Sequence, residues 1–374
     1  MSEVEHVVVI GGGVAGCATA YYLSAAGVRV TIVEREGIGS QASAWSAGGL
    51  NPLQGIERPI LPFAMESFRL HLSLWPELER LTGQSLGARR ISMAYVAPTD
   101  ADASELLELR DEFEDARSDG FSAQWLEAAE FLTLEPRVSP RIAGALLTYG
   151  NGVLDSQRLT VLLAEAAQKQ GATVQEGEVT GIRLADGRVT GVEVDGTVVP
   201  CDTAVVALGP WSGAAERWLG VPLPVEPLKG EILRMTQSGP ALKSDVVAPS
   251  ISLFGREDGQ IWLASTKQHA GFDKEPSEWG YHTLYDAALA LMPSIAEASL
   301  LQHTACLRPI TPDDLPLVGK VPGRECAYVA SGGGPKGILL APGMGKGLAD
   351  LIVTGQTSLS VKACDPARFT NVAG

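Results

Sequence analysis

Residues 7–16 read Val7-Val8-Val9-Ile10-Gly11-Gly12-Gly13-Val14-Ala15-Gly16, an apolar strand feeding directly into a glycine-rich turn. The spacing Gly11-x-Gly13-x-x-Gly16 is that of a dinucleotide-binding fold. Gly11 permits the tight turn out of the strand, Gly13 lets the backbone approach a pyrophosphate, and Gly16 lets the following helix pack closely on the sheet. The phosphates then meet a helix N-terminus, whose unbonded N–H groups and positive dipole end bind anions without a basic side chain. A helical stretch, CATAYYLSAAG (17–27), and a second strand, VRVTIVE (28–34), complete the unit. It ends in Glu34, eighteen residues beyond Gly16. A carboxylate there accepts hydrogen bonds from a ribose diol and repels a 2′-phosphate. The motif points to an adenine dinucleotide and leaves NAD and FAD open.

Working outward, 374 residues suffice for two or three domains with large cores. Hydrophobic content of 45% with 20% charged residues is that of a globular chain. The net charge of −15 argues against binding nucleic acid or an anionic membrane, both of which reward Lys/Arg patches. Five widely spaced cysteines (Cys17, Cys201, Cys306, Cys326, Cys364), with no C-x-x-C and no nearby histidine pair, suggest neither a disulfide framework nor a metal site. The first strand starts close to Met1, which leaves no room for a signal peptide, and no apolar run approaches the length of a membrane span. The expectation is a soluble, cytoplasmic protein. A homo-oligomer is allowed by the sequence but not required by it.

Beyond Glu34 the stretch GIGSQASAWSAGGLNPL (37–53) is too small-residued to fill a core and suits a backbone running against a ligand. Residues 62–82 read as an amphipathic helix, 89–98 as a strand, and 101–118 as a charged, exposed helix. LEPRVSPRIAGALLTYGNGVLD (134–155) has the Pro and Gly punctuation of a crossover between domains. A helix over 156–170 leads into period-two segments separated by Asp-Gly turns, a β-meander returning to a buried strand, TAVVALGPWSG (203–213). Residues 225–272 read as a second set of strands and 276–301 contain a helix. The strand CAYVAS (326–331), the turn GGGPKG (332–337) and a helix through Val353 close the chain.

Taken in order, the fingerprint with Glu34, ASAWSAGGL (42–50), LDSQRLTVLL (154–163), TAVVALGPWSG, CLRPITPDDLPLVG (306–319) and SGGGPKGILLAPGMGKGLADLI (331–352) resemble the FAD-dependent D-amino-acid oxidase superfamily, nearest its glycine oxidase and sarcosine oxidase branch. The resemblance spans nearly the whole chain. It implies FAD as cofactor and an α/β (α+β) architecture. A Rossmann-like FAD-binding domain is assembled from residues 1–85, 145–222 and 303–374, and a substrate domain with a mixed β-sheet from 86–144 and 223–302. It implies that the flavin is held by Gly11, Gly13, Val14, Ala15, Gly16, Glu34 and Arg35, and by Ser43, Ala47, Gly48, Gly49 and Leu50 of the small-residue loop. Val179, Gly209, Trp211, Cys306, Gly333, Gly334, Lys336, Gly337 and Ile338 complete that set. The second GxGxxG, Gly332-x-Gly334-x-x-Gly337, also follows a strand and opens a helix, but no further strand ending in an acidic residue comes after it, as a second nucleotide site would need. In the family it is the helix N-terminus facing the flavin's pyrimidine side.

The same resemblance assigns substrate groups. Arg308, in Leu-Arg-Pro, holds the substrate carboxylate in related oxidases, and a planar fork of donors suits that task. The alternative is a salt bridge to Asp313 or Asp314. Lys267 falls where the family places substrate-facing or oxygen-activating groups, with His269 beside it, although such residues are also ordinary solvated strand ends. Ser252 stands where glycine oxidases carry a tyrosine, and Pro335 near where they carry a second carboxylate-binding arginine, which puts glycine itself in doubt as substrate. The implied reaction is oxidation of the C–N bond of an amino acid or small secondary amine to an imine by hydride transfer to flavin N5, with dioxygen or another electron acceptor. Hydrogen peroxide is the co-product with dioxygen. The alternative is a dehydrogenase of a D-amino acid or 2-hydroxy acid passing electrons to a quinone or partner subunit. Cys306, five residues before Thr311-Pro312-Asp313, occupies the place of a cysteine joined to the flavin in sarcosine oxidases. Members carrying the Leu-Arg-Pro arginine hold flavin noncovalently, so the chain mixes two patterns, and a small buried hydrophobe is the other reading of Cys306.

Overall fold

The computed structural model describes residues 4–236 and 239–372. The chain runs β1 (His6–Ile10), α1 (Val14–Ala25), β2 (Arg29–Glu34), α2 (Ala42–Trp45), β3 (Gly49–Leu50), α3 (Leu61–Thr82), β4 (Arg89–Ala97), α4 (Asp100–Asp115), β5 (Ser122–Glu127) and α5 (Ala128–Leu134). It continues through β6 (Gly144–Val153), α6 (Ser156–Lys169), β7 (Thr173–Glu176), β8 (Val179–Ala185), β9 (Arg188–Val194), β10 (Thr197–Pro200), β11 (Thr203–Val206) and α7 (Glu216–Leu219). The remainder is β12 (Glu226–Thr236), β13 (Asp245–Ala248), β14 (Ile251–Gly255), β15 (Gln260–Ala264), α8 (Glu278–Leu291), β16 (Leu300–Ile310), β17 (Leu317–Lys320), β18 (Ala327–Ser331) and α9 (Gly337–Thr354). Two compact units result, one from Met1–Gly87, Leu154–Leu228 and Leu307–Gly374, the other from Ala88–Val153 and Lys229–Cys306.

The first unit is built on a six-stranded sheet of order β17-β18-β11-β1-β2-β7. All its pairings are parallel except β17 against β18. Val7, Val8, Val9 and Ile10 are wholly buried, as a central strand covered on both faces requires. The three-stranded meander β10-β9-β8 shares a core with this sheet through Val8, Ile10, Val192, Val194 and Val206. Helix α1 packs against α6 and α9, and α9 against α3.

Helix α9 corrects one expectation. Residues Gly334–Thr354 are long and apolar enough, by length and composition, to cross a bilayer, with mean hydropathy 1.3. In the fold 67% of that window is buried, because the helix is a core element between α1 and α3. A Cβ on Gly343 would lie 2.8 Å from Phe63, and one on Gly345 2.5 Å from the Ala18 backbone. Bare backbone at those positions is what brings the three helices into contact.

Pro342 sits inside α9 and has no N–H for the Ile338 carbonyl one turn back. His71 of α3 supplies the missing donor, with Nε2 2.9 Å from Ile338 O. One turn earlier on α3, Ser67 Oγ donates to Leu339 O (2.7 Å) and accepts from Gly343 N (2.9 Å), bridging the next broken rung. Burial pushes the His71 imidazole down from 6.5 to about 4, against the raising effect of its backbone bonds. A folded-state pKa below the unfolded value means that stability is complete above pH 6.5 and is lost as pH falls toward 4, by about 3 kcal/mol in all. His71→Gln keeps a donor for Ile338 without titrating. It is expected to flatten the fall of the thermal midpoint between pH 6.5 and pH 4, and parallel curves for the two proteins would exclude His71 as the cause.

The second unit holds the mixed sheet β16-β12-β15-β14-β13-β4-β6, with β5 pairing β6 as well. Its pairings are antiparallel apart from β13 beside β4. One face carries Leu233, Leu253, Ile261, Leu263, Ala94 and Leu147 into a core with Leu284, Ala288 and Leu291 of α8. The stretch expected to be a crossover contains β6, ten residues paired on both sides by β4 and β5. Two such ladders outweigh the turn-like glycines in TYGNG.

Candidate functional site

The parallel register of the first unit brings strand ends together. Ile10 lies beside Val206 and Val33, and Val206 beside Val329, so the residues that follow these strands share one edge of the sheet. Gly11, Gly13, Val14, Ala15, Gly16, Glu34, Arg35, Gly209, Trp211, Gly333 and Gly334 all follow from that edge. This is where an open parallel sheet binds its ligand.

The glycines divide by what holds them. Gly11 has φ +110°, and a Cβ there would lie 2.4 Å from Ala207 O. A Cβ on Gly16 would lie 2.1 Å from Gly11 O. The fold itself therefore demands both. A Cβ on Gly13 would meet nothing nearer than Ser43 Oγ at 3.8 Å, and one on Gly337 nothing within 4 Å. Helix α1 opens at Gly13 with no side-chain cap, and its Val14 N–H donates to Ser43 Oγ (3.0 Å). Helix α9 also opens without a side-chain cap, after the turn holding Gly333, Gly334, Pro335 and Lys336. Ile338 is its second residue.

Glu34 Oε2 accepts from Gly12 N (2.7 Å) and Oε1 from Glu36 N (2.9 Å). Each oxygen keeps a further lone pair for a ribose hydroxyl. Beside it, the Arg35 guanidinium lies 5.2 Å from the Trp211 ring centroid and pairs with Glu36 and Glu178. Val179 reaches the same edge because Gly177 N donates to Glu34 O (3.0 Å) just before β8 starts. In the small-residue loop, a Cβ on Gly48 would lie 1.9 Å from Leu154 O, while Gly49 has open space. Ala47 precedes that pair, and Leu50 is buried.

Three features lay outside the sequence reading. Ser331 Oγ donates to Gly209 O (3.0 Å) and Ser212 Oγ to Ser331 Oγ (2.9 Å), tying the end of β18 to the turn after β11. Lys336, expected to hold the flavin, donates its ammonium to Asn51 O, Asn51 Oδ1 and Gln54 O, and this tie to the loop after β3 was not part of that expectation. Ile38 lies where a Cβ on Gly12 would come within 2.6 Å. None of these has a local signature, since each joins segments that only the sheet brings together.

Of the substrate residues, Arg308 is half-buried on β16, in the first unit. Asp313, its alternative partner, is gripped by Arg368 through Nε (2.7 Å) and Nη2 (3.1 Å) and by Thr311 Oγ1 (3.0 Å). Cys306, two residues before Arg308, is buried and forms no disulfide. Ser252 lies on β14 in the second unit, between Val247 and Ala264. Lys267 was expected within a strand, but β15 stops at Ala264, and Lys267 and His269 are exposed in the segment that follows.

An acid-terminated fingerprint on a parallel sheet, in one chain with a mixed-sheet unit, defines a dinucleotide-dependent oxidoreductase. The family model of the DAO type, FAD dependent oxidoreductase, matches residues 6–351, and the chain belongs to that family. Glycine oxidase of Geobacillus kaustophilus is 31% identical over 380 residues, covering 100% of both chains. That of Pseudomonas aeruginosa is 32% identical over 93% of this chain and 94% of its own. The crystal structure of the Geobacillus kaustophilus enzyme matches with a TM-score of 0.90 at 30% identity, over 97% of this chain and 99% of that one. Iminodiacetate oxidase from Chelativorans sp. BNC1 matches with a TM-score of 0.87 at 26% identity, over 96% and 98%. The protein is thus an FAD-dependent oxidoreductase of the glycine oxidase and amino-acid oxidase type, an amine-oxidising enzyme. The resemblance read from the ordered motifs, and FAD in place of NAD, are borne out.

Proposed function

We propose that the first unit holds FAD and that the enzyme oxidises the amine of a carboxylate-bearing substrate, an amino acid or a small secondary amine, with hydrogen peroxide as co-product. The open space beside Gly13, at an uncapped helix start next to Glu34, carries this reading. Glycine and iminodiacetate, for which the relatives are named, are both amines whose neighbouring carbon bears a carboxylate. The substrate of this chain belongs to the same chemical class.

The amides at the start of α1 would hold the pyrophosphate, and Glu34 would accept from the ribose diol. The start of α9 would offer its positive dipole end to the flavin. Bound there, FAD supplies the two-electron acceptor for the hydride leaving the substrate carbon. Arg308 grips the substrate carboxylate through its planar fork and so fixes which C–H bond is presented. Release of a proton from the substrate ammonium frees the nitrogen lone pair that drives the hydride out, and water hydrolyses the resulting substrate imine.

Anaerobic addition of a panel of amino acids and secondary amines is expected to bleach the oxidised flavin band, with peroxide and ammonia or an amine released in air. A panel in which only 2-hydroxy acids bleach the flavin overturns the reading. Gly13→Ala separates fold from cofactor, because its methyl group has room in the protein and collides only with a phosphate. It is expected to weaken FAD retention by about 1–3 kcal/mol with the apoprotein's thermal midpoint unchanged. Glu34→Ala is expected to cost about 1.5–3 kcal/mol of FAD affinity, the range for a hydrogen bond to a charged group. Equilibrium dialysis of the two variants measures both, and wild-type retention in both would place the nucleotide elsewhere.

A further inference from the structure

The first half of β16, residues 300–306, is the outermost strand of the second unit's sheet and has β12 on one side. Ser299, just before it, turns its carbonyl inward to accept from Thr236 N (2.9 Å). Backbone groups alternate in direction along a strand, so Leu300 and Gln302 point their N–H and C=O outward, away from β12. Side chains alternate between faces as well. Leu301 shares a face with His303, whose ring centroid lies 6.3 Å from that of Tyr281 on α8, and Leu300 and Gln302 occupy the other face. Leu300 is 44% exposed and Leu301 53%. Leucines open to solvent on both faces of one strand leave its outer edge open too.

An open edge is normally guarded by Lys, Glu, Pro or a bulge. Residues 298–307 contain no Asp, Glu, Lys, Arg or Pro, and the nearest charges in sequence are Glu297 and Arg308. Of the large apolar side chains exposed among the described residues, Phe272, Trp279, Leu300 and Leu301 all fall within positions 272–301 of this unit. Such a concentration marks an interaction surface. Charge selects the partner. Two copies of a chain of net charge −15 repel wherever carboxylates meet, and an uncharged strip is where they approach without that cost. The edge is also its own complement, because a two-fold axis sets each outward N–H against an outward C=O.

We propose that β16 pairs antiparallel with β16 of a second copy, across a two-fold axis at Leu301, so that the sheets of the two second units run on as one. Leu300 then exchanges backbone hydrogen bonds with Gln302 of the other copy, and Gln302 with its Leu300. Leu301 meets its own counterpart at the non-hydrogen-bonded position, where side chains come closest and Cα atoms are about 4.5 Å apart. The inward bonds to β12 are untouched, so the pairing needs no rearrangement of either copy.

The test is the mass of the FAD-loaded enzyme at micromolar concentration, by sedimentation velocity and light scattering. The wild-type protein is expected to be a dimer or an even-numbered assembly built on one. Leu301→Glu and Leu301→Lys each set like charges directly opposite one another, and each is expected to raise the dissociation constant of this contact about tenfold or more and to release half-mass species. Flavin content and circular dichroism are expected to be unchanged, because the side chain is exposed. An equal mixture of the two variants is expected to recover the wild-type mass, since Glu then faces Lys. Gln302→Pro, which removes an outward N–H that β12 does not use, gives a second disruption independent of charge. A monomeric wild-type protein overturns the proposal, and so does an assembly whose mass neither the Leu301 charges nor Gln302→Pro alter. Dissociation by both charges with no recovery on mixing overturns the two-fold register at Leu301.

Discussion

Replacing Arg308 with alanine is expected to lower kcat/KM for carboxylate-bearing amines by on the order of 10³ while leaving the flavin spectrum nearly intact. The size follows from what is lost, a charge-assisted bidentate contact whose removal costs several kcal/mol in a site shielded from water. Arg308 lies on β16, a strand of eleven residues, so its backbone is fixed by the sheet and does not depend on the side chain. Asp313, one partner in the competing account, is held by both nitrogens of Arg368's fork and by Thr311. Arg308→Lys keeps the charge and loses the fork, and it is expected to recover only a minor part of the activity. Steady-state rates with a carboxylate amine and with its decarboxylated analogue make the check. If the alanine variant keeps near-normal efficiency, Arg308 is a structural residue and the substrate is an amine without a carboxylate.

Legibility in the sequence followed the range of the interactions. The β1–α1–β2 unit was readable because its constraints are local, Gly16 being required by Gly11 only five residues away. Helices α3 and α6 matched their apolar spacing and ended at Gly83 and near Gly171, as expected from composition alone. The length of β15 was misjudged because a strand ends where its partners stop, and the pairing with β12 and β14 ends at Ala264, short of Lys267. The row of Arg234, Phe254 and Trp262 was invisible for the same reason, since these residues become neighbours only through register. The closing helix was readable through Val353, but its place in the core was not, because that depends on the bonds that α3 supplies where Pro342 has no N–H.

The buried acid Glu231 shows the same non-local logic, and its removal is expected to destabilise the enzyme more than any other single change considered. It lies on β12 with no exposed surface and accepts from Gln268 Nε2 (2.8 Å), Ser277 N (3.0 Å) and Ser277 Oγ (2.7 Å), from residues as many as 46 positions away. The buried Lys229 ammonium stands 3.7 Å from it and donates to Asp273 at 2.7 Å, while His303 Nε2 lies 2.7 Å from Glu231 Oε2. Gly280 must be glycine here, since a Cβ would fall 2.2 Å from the carboxylate. The carboxyl titrates below its ordinary value, because the bonds from Ser277 and Gln268 and the charge of Lys229 outweigh the cost of burial. Glu231→Ala deletes the acceptor for three donors and leaves Lys229 buried with half its compensation, a loss of about 3–5 kcal/mol. Replacing Lys229 as well, with methionine, removes the stranded charge and is expected to recover part of that loss. The segment from Ser265 to Ser277, which Glu231 pins at Gln268 and Ser277, carries Lys267 and Lys274, so limited trypsin digestion reports its release directly. Cleavage at those lysines is expected in Glu231→Ala at temperatures where the wild-type protein resists it. A variant with an unchanged thermal midpoint and wild-type resistance to trypsin would show that the β12 ladder and the helix α8 core hold this segment without the acid.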